Sequence, residues 1–330
     1  MDTKPIFVVT QAFSKQGISI INTLLKEGKY QLRALSTRPV DSPPLQKLAD
    51  KGVQVVQVDL NNKQDLVNAY KGAYGAFLMT PSIQYTDPDY FQKEIDTIII
   101  QADAALEAGV HHVVFSTVDS AVHKNPALKE DFKYDILACR NKAQVYLESL
   151  AIPVVSSFLL AFFHSNFIEF VPPVKLEDGS FLFPMPVGEN VSLPHVDTYT
   201  ATGPLVSAFL AEPQRFNRVA VPLYSEFLTG EEIAAIFEKV TGIKSKFVPQ
   251  TREQYLKHNG FDEVPELSLL GNRLFEIWDS TAKHGYYYKE RDLTLASKLL
   301  GSSLLTYEQF LRSTGWAGES YAEFREKNNY

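Results

Sequence analysis

The segment Val8-Val9-Thr10-Gln11-Ala12-Phe13-Ser14-Lys15-Gln16-Gly17 holds the residues best placed to bind an anion. It leads from a short apolar run into an amphipathic one, so it reads as a turn from a strand into a helix. Backbone N–H groups and the helix dipole attract negative charge at such a point. A turn of this kind that binds a dinucleotide needs glycine for three separate reasons. One glycine makes the tight turn, one lets the backbone approach the pyrophosphate, and one lets the helix pack on the strand. In the spacing GxxGxxG the three positions here hold Gln11, Ser14 and Gly17. Gln11 and Ser14 still present backbone N–H groups, but their side chains, with bulky Phe13 beside them, occupy space that a pyrophosphate needs. Two readings stand: an altered dinucleotide turn, or a structural strand–helix turn with no ligand.

Other reactive residue types are sparse. His111-His112 opens an apolar run and has no carboxylate or cysteine at metal-ligand spacing, so no metal site is expected. His164 follows a strand at the edge where α/β sheets bind ligands, and its plain alternative is a contact between domains. Asp197 reads equally as a helix cap or a polar site residue. Cys139 has no base to activate it and, as the single cysteine, forms no internal disulfide. Tyr286-Tyr287-Tyr288 reads as a half-buried aromatic cluster, with a wall for a flat substrate or a partner patch as alternatives.

These residues need elements to hold them. A chain of 330 residues has room for two domains at roughly 150 residues each. Residues 5–10 read as a buried strand. Residues 15–27 read as a helix with Ile18, Ile21, Leu24 and Leu25 on one face and Gly28 at its end. Strands follow at 31–36, 53–58, 73–80, 110–118 and 153–158, with helices at 65–70, 90–108 and 141–150, and a proline-rich turn at Pro39, Pro43 and Pro44. This alternation predicts an α/β fold with a doubly wound parallel, Rossmann-like sheet over residues 1–158, joined by a returning strand near 218–223. Residues 159–330 are expected to form a smaller α+β domain. There the prolines from Pro172 to Pro194 break the chain around Phe181-Leu182-Phe183, and Thr229 with Glu232 and Thr306 with Gln309 read as capping boxes.

The net charge of −7, without a basic cluster, argues against direct binding to nucleic acid. No apolar stretch approaches the ~20 residues that span a bilayer. The start, Met1 to Pro5, lacks signal-peptide features. The expected location is the cytoplasm, with the nucleus left open.

Beyond its glycine spacing, the first turn resembles the GATGxQG turn of the NmrA-like family of atypical short-chain dehydrogenases, with Lys15-Gln16-Gly17 retained. Val55-Val56-Gln57-Val58-Asp59 resembles the family's third strand, and the run from Tyr70 to Phe77 its "kGayavF" stretch. The run from Gly109 to Ser116 (GVHHVVFS) resembles its fifth strand. Phe162-Phe163-His164-Ser165-Asn166-Phe167 resembles its FFxxNF, and His195-Val196-Asp197 its short "V-D" segment. The resemblance runs over nearly the whole chain. It implies a dinucleotide held by Gln11, Ser14, Lys15, Gln16 and Gly17. The family places a threonine and then an arginine after the second strand, the arginine neutralising the 2′-phosphate of NADP. Here Thr37 stands at that arginine's position and Arg38 one later, so Arg38 either reaches the phosphate or is solvated. NADP is expected ahead of NAD. By the same resemblance Asp59 and Leu60 flank the adenine, Met79, Thr80 and Pro81 line the nicotinamide side, and Ser116, Lys142 and Asn166 complete the cofactor contacts.

Short-chain dehydrogenases use a tyrosine and a lysine four residues apart on one helix, the lysine lowering the tyrosine's pKa so that it can pass a proton as hydride moves. Lys142 stands at the lysine's position; four residues earlier is Ala138, and the substitute for the missing tyrosine is Tyr134, eight residues before Lys142 and two helical turns away where the helix extends that far. Three readings follow: an NmrA-like NAD(P)-binding redox sensor or regulator working through a protein partner; an atypical NADPH-dependent reductase using Lys142 on a small aromatic or carbonyl substrate; and a non-redox enzyme in the old cofactor cleft. As plain structure, Lys142 is a partly buried helix lysine paired with a carboxylate or carbonyl.

Overall fold

The computed structural model describes residues 4–80 and 85–328. Its first half alternates strand and helix: β1 (Ile6–Val9), α1 (Lys15–Glu27), β2 (Gln31–Ser36), α2 (Pro43–Ala49), β3 (Gln54–Gln57), α3 (Lys63–Tyr70), β4 (Ala73–Leu78), α4 (Tyr90–Glu107), β5 (His112–Thr117), the one-turn α5 (Ala121–Lys124), α6 (Ala138–Ser149) and β6 (Val154–Leu160). Then come β7 (Phe162–Phe163), α7 (Asn166–Glu169), β8 (Val174–Lys175), β9 (Phe181–Met185), β10 (Leu193–Val196), α8 (Thr198–Ala211), β11 (Ala220–Leu223), β12 (Glu226–Leu228), α9 (Gly230–Thr241), β13 (Ser245–Pro249), α10 (Arg252–His258), α11 (Pro265–His284), α12 (Leu295–Leu300), α13 (Tyr307–Thr314) and α14 (Tyr321–Asn328).

The main sheet has seven parallel strands in the order β11-β6-β5-β4-β1-β2-β3. Strand order reverses beside β1, whose neighbours are β2 and β4, and ligands of such sheets bind at the carboxyl ends there. Strands buried on both faces need near-continuous apolar runs, which IFVV in β1 and VVSSFLL in β6 largely supply. One face packs on α3, α4 and α6 through Leu66, Ile98 and Leu147. The other packs on α1 and α8 through Ile20, Leu24, Leu205 and Phe209. A third core, with Phe183, Phe237, Tyr307 and Trp316, holds the second half together around two three-stranded sheets.

Local chemistry sets the helix ends. Gly28 closes α1 at φ 67°, a left-handed conformation that glycine adopts without a Cβ penalty. Complete capping boxes start α9 at Thr229 and α13 at Thr306.

Several expected elements differ. The proline-rich stretch after β2 starts α2 rather than remaining a turn, because Pro43 and Pro44 occupy first-turn positions, where no N–H is needed. Ile18 is only partly buried, whereas Ile20 is fully buried, because α1 is covered by α8 as well as by the sheet. The second half is more helical than its prolines suggest. α8 accommodates Pro204 and the 20-residue α11 begins on Pro265. At Gly203 a Cβ would lie 2.3 Å from the Ser19 carbonyl oxygen, so only glycine permits the close α1–α8 crossing. No helix among the described residues is long and apolar enough to cross a membrane.

Candidate functional site

The turn after β1 keeps its backbone shape despite its altered residues. Gln11 takes φ 50°, in the left-handed region that favours glycine, and its carbonyl accepts the Ser14 N–H at 2.8 Å. Gly17 cannot be replaced without movement, since a Cβ there would lie 2.4 Å from the Gln11 carbonyl oxygen. Ser14 is the N-cap of α1. Its hydroxyl accepts the Gly17 N–H at 2.9 Å and lies 3.3 Å from the Met79 sulfur, so it is committed to the helix and the end of β4. The backbone N–H groups of Lys15 and Gln16 have no partner among the described residues, as expected of a first helical turn. The Gln16 side chain is buried with its Oε1 unpaired.

Beside this turn a cavity of about 270 Å³ is lined by Gln11, Phe13, Ser14, Thr37, Arg38 and Leu60, among others. The exposed Arg38 guanidinium lies 5.5 Å from the centre of the Phe13 ring. Phe13 thus supports the arginine at the mouth of the cavity, and the cation–π contact favours that position. A neighbouring hollow of about 490 Å³ is lined by Thr37, Gln57, Val58, Asp59 and Asp65. Asp59 is exposed and accepts the Asn61 N–H at 2.9 Å, while Leu60 is buried. The carboxyl ends of β1, β2 and β3 therefore bring Gln11, Ser14, Arg38, Asp59 and Leu60 into one neighbourhood.

Lys15 leaves the turn in another direction. Its ammonium lies 2.5 Å from Glu169 and 2.7 Å from the Ser165 hydroxyl, with the Phe163 ring 5.8 Å away. Burial lowers the Lys15 pKa against the opposing pull of Glu169 and Asp197. Asn166, half-buried, opens the same short helix α7 that carries Glu169. Thr80 and Ser116 are buried at the ends of β4 and β5. Pro81 lies outside the described residues.

The acid–base region differs in kind. α6 begins at Ala138, which is buried, so the position four residues before Lys142 offers only a methyl group. Tyr134 precedes the helix instead of sharing it. It is 37% exposed, and its backbone N–H donates to Glu276 at 2.6 Å. Lys142 is exposed rather than partly buried, with its ammonium 4.9 Å from the Phe91 ring centre and no carboxylate partner among the described residues. Asn141 is the buried polar residue of this turn and donates to the Val118 carbonyl at 2.6 Å. Cys139 is buried against Glu94, and burial pushes its thiol far up, which makes it inert.

His164 packs inside the third core, with 0% exposure, and its ring stacks on His195 at 6.0 Å. No ring nitrogen of either histidine has a hydrogen-bond partner among the described residues. Burial drives both pKa values down, His195 to about 3, so both are neutral. Asp197 caps α8, accepting from Tyr199 N–H at 3.2 Å and the Thr200 hydroxyl at 2.8 Å. Tyr287 donates to the Leu159 carbonyl at 3.3 Å and Tyr288 to the Ser120 carbonyl at 2.9 Å, so the tyrosine triplet ties the second half to the ends of β5 and β6. Among the described residues no group of three or more His, Cys, Asp or Glu could hold a metal ion.

The sequence pattern of the NmrA-like family matches residues 3–309. The chain belongs to the NmrA-like family. An NmrA-like family domain-containing oxidoreductase of Aspergillus hancockii, hkm9, is 27% identical to it over 278 residues, 81% of this chain and 82% of its own length. Crystal structures of NmrA, a negative transcriptional regulator, in complex with NAD and with NADP superpose with TM-scores of 0.76 and 0.75. Each is 20% identical and covers 100% of this chain and 99% of its own.

Three part-buried pairings of this NmrA-like chain escape sequence reasoning. Lys15–Glu169 joins residues 154 positions apart, and Arg140–Glu94, at 2.7 Å, residues 46 apart. Arg291 grips Asp119 with two nitrogens, at 2.7 and 3.1 Å, across 172 positions. Ion pairs between distant segments leave no local pattern. A faint signal exists for Glu94, a lone acid within the apolar stripe of α4 between Phe91 and Ile95.

Proposed function

We propose that this NmrA-like protein binds a nicotinamide dinucleotide, NADP ahead of NAD, across the α1 turn, and reports its cofactor state to a protein partner with little or no dehydrogenase activity. The observation that carries the absence of chemistry is Ala138, a buried methyl group where a proton-passing tyrosine would stand, with Tyr134 off the helix and facing solvent. Binding is supported separately. Lys15 and Gln16 offer unpartnered amides at the N-terminus of a 13-residue helix, Gln11 supplies the glycine-like turn, and Arg38 stands at the adjoining cavity. The complexes of NmrA with NAD and NADP add support from a protein of the same fold. The turn residues would hold the pyrophosphate, Arg38 a 2′-phosphate, and Asp59 with Leu60 the adenine side. When bound, the dinucleotide supplies the hydride chemistry whose acid–base partner this chain lacks.

Calorimetric titration with NADPH and NADP, paired with an NADPH-oxidation assay, tests the reading. Saturable binding without turnover is the expected result. No binding of either nucleotide to the folded protein overturns it and promotes a non-redox use of the cleft. A second reading, a reductase with Lys142 as acid–base, draws on the unpaired ammonium of Lys142. It requires that Lys142→Ala abolish NADPH consumption while leaving NADPH affinity intact; the expectation here is no turnover to abolish.

A further inference from the structure

Lys15 performs two roles that conflict once an anion arrives. Its backbone N–H is one of the two open amides at the start of α1, yet its side chain is spent elsewhere, on Glu169 at 2.5 Å and Ser165 at 2.7 Å. The pair is mostly shielded, with side-chain exposures of 18% for Lys15 and 12% for Glu169. Asp197, the cap of α8, adds a weaker pull on the same ammonium from farther off. A pyrophosphate at the amides of Lys15 and Gln16 would place further negative charge beside these carboxylates. In a partly desolvated setting such like-charge crowding is costly. The least costly relief is for the ammonium to turn to the phosphates and for Glu169 to let go.

The two elements resist that exchange unequally. α1 is fixed by Ile20, Ile21 and Leu24 in the first core. α7 is a single turn of 4 residues anchored by buried Phe167 and Ile168, but Glu169 stands at its last position, followed by Phe170, which is 70% exposed. Movement therefore falls to α7.

We propose that Glu169 is a built-in competitor for the dinucleotide, holding the Lys15 ammonium in the empty protein, and that cofactor binding takes this ammonium and loosens residues 165–171. This rests on the cofactor reading above and adds what transmits occupancy to the second half of the chain.

The test uses the full chain, titrated with NADPH by calorimetry as wild type, Glu169→Gln, Lys15→Met and the double variant. Glu169→Gln should bind about ten-fold more tightly, within the usual span of coupling between sites. Lys15→Met should bind more weakly, and adding Glu169→Gln to it should gain clearly less than the same change gains in the wild type. Hydrogen exchange gives an independent readout. Amides of residues 165–171 should exchange faster with NADPH in the wild type, and already fast without NADPH in Glu169→Gln. Equal NADPH affinity of wild type and Glu169→Gln, or unchanged exchange at 165–171 in both, overturns this proposal and leaves the cofactor reading standing. Failure of every folded variant to bind NADPH removes the cofactor reading itself. Fast ligand-free exchange at 165–171 in Glu169→Gln would then show that the pair restrains α7 but serves no cofactor.

Discussion

The turn after β1 and the first turn of α6 have both departed from the pattern of dinucleotide-linked dehydrogenases, with opposite consequences. At the first turn two glycine positions hold Gln11 and Ser14, yet the backbone still bends left-handed and still leaves two amides open. At α6 the position four residues before Lys142 holds Ala138, a buried methyl group with no hydroxyl to offer. A site built from main-chain N–H groups tolerates side-chain change as long as the path of the chain survives. A site built from one side chain's reactivity is lost with that side chain.

The strongest way to break this contrast is Gly17→Val. The branched Cβ would collide with the Gln11 carbonyl and Ala12, both backbone, so the turn itself must shift. Destabilisation of about 3 kcal/mol and loss of NADPH binding are expected, read by thermal melting and calorimetry. Retained affinity would show that backbone path does not govern the site. Acid gives the next largest effect, in the second half of the chain. His195, held neutral by burial with its pKa near 3, takes up no proton in the folded state as pH falls below its ordinary 6.5, whereas the unfolded chain does. Its contribution is fully present above about pH 6.5 and drains as pH drops towards 3. From pH 7.5 to 5 the loss is about 2 kcal/mol from this residue. Urea unfolding at the two pH values checks it, and His195→Phe should shrink the difference by about that amount while buried His164 and His112 keep the remainder. A third, smaller effect concerns α6. Ala138→Tyr should cost about 1–3 kcal/mol by overpacking and give no NADPH oxidation, because Lys142 is turned to solvent over Phe91. Turnover in that variant would mean the relay lacked only its hydroxyl. The mildest change is Gln11→Gly. Relief of a left-handed glutamine, offset by the greater freedom of unfolded glycine, should leave stability within about 1 kcal/mol of wild type, with NADPH binding no weaker.

Much of the first half was legible because its signals are local. The bounds of α1 and β2 follow from periodicity and Gly28, and the capping boxes at Thr229 and Thr306 announce their helices through contacts three residues apart. α8 and α11 were not among the expected elements, since α8 carries Gly203 and Pro204 inside it and α11 begins on Pro265. Their roles come from a close helix crossing and a first-turn position, which exist only in three dimensions. At the candidate site, sequence picked out Gln11, Ser14 and Gly17, but not that Ser14 would spend its hydroxyl capping α1 or that Lys15 would reach Glu169. The exposure of Lys142 and the full burial of His164 likewise depend on what packs opposite them, which spacing does not encode.

The α1–α8 crossing at Gly203 has a consequence for biosynthesis. α8 and β11 are translated after β6, yet one shields the outer side of α1 and the other seals the open border of β6. A nascent chain that has just released β6 therefore exposes an apolar helix flank and unpaired strand amides, the combination that invites association between neighbouring chains on a polysome. The Rossmann-like sheet becomes self-sufficient only after Leu223 has cleared the ribosome. A gene fragment cut near residue 158 should therefore yield inclusion bodies rather than a small cofactor-binding protein.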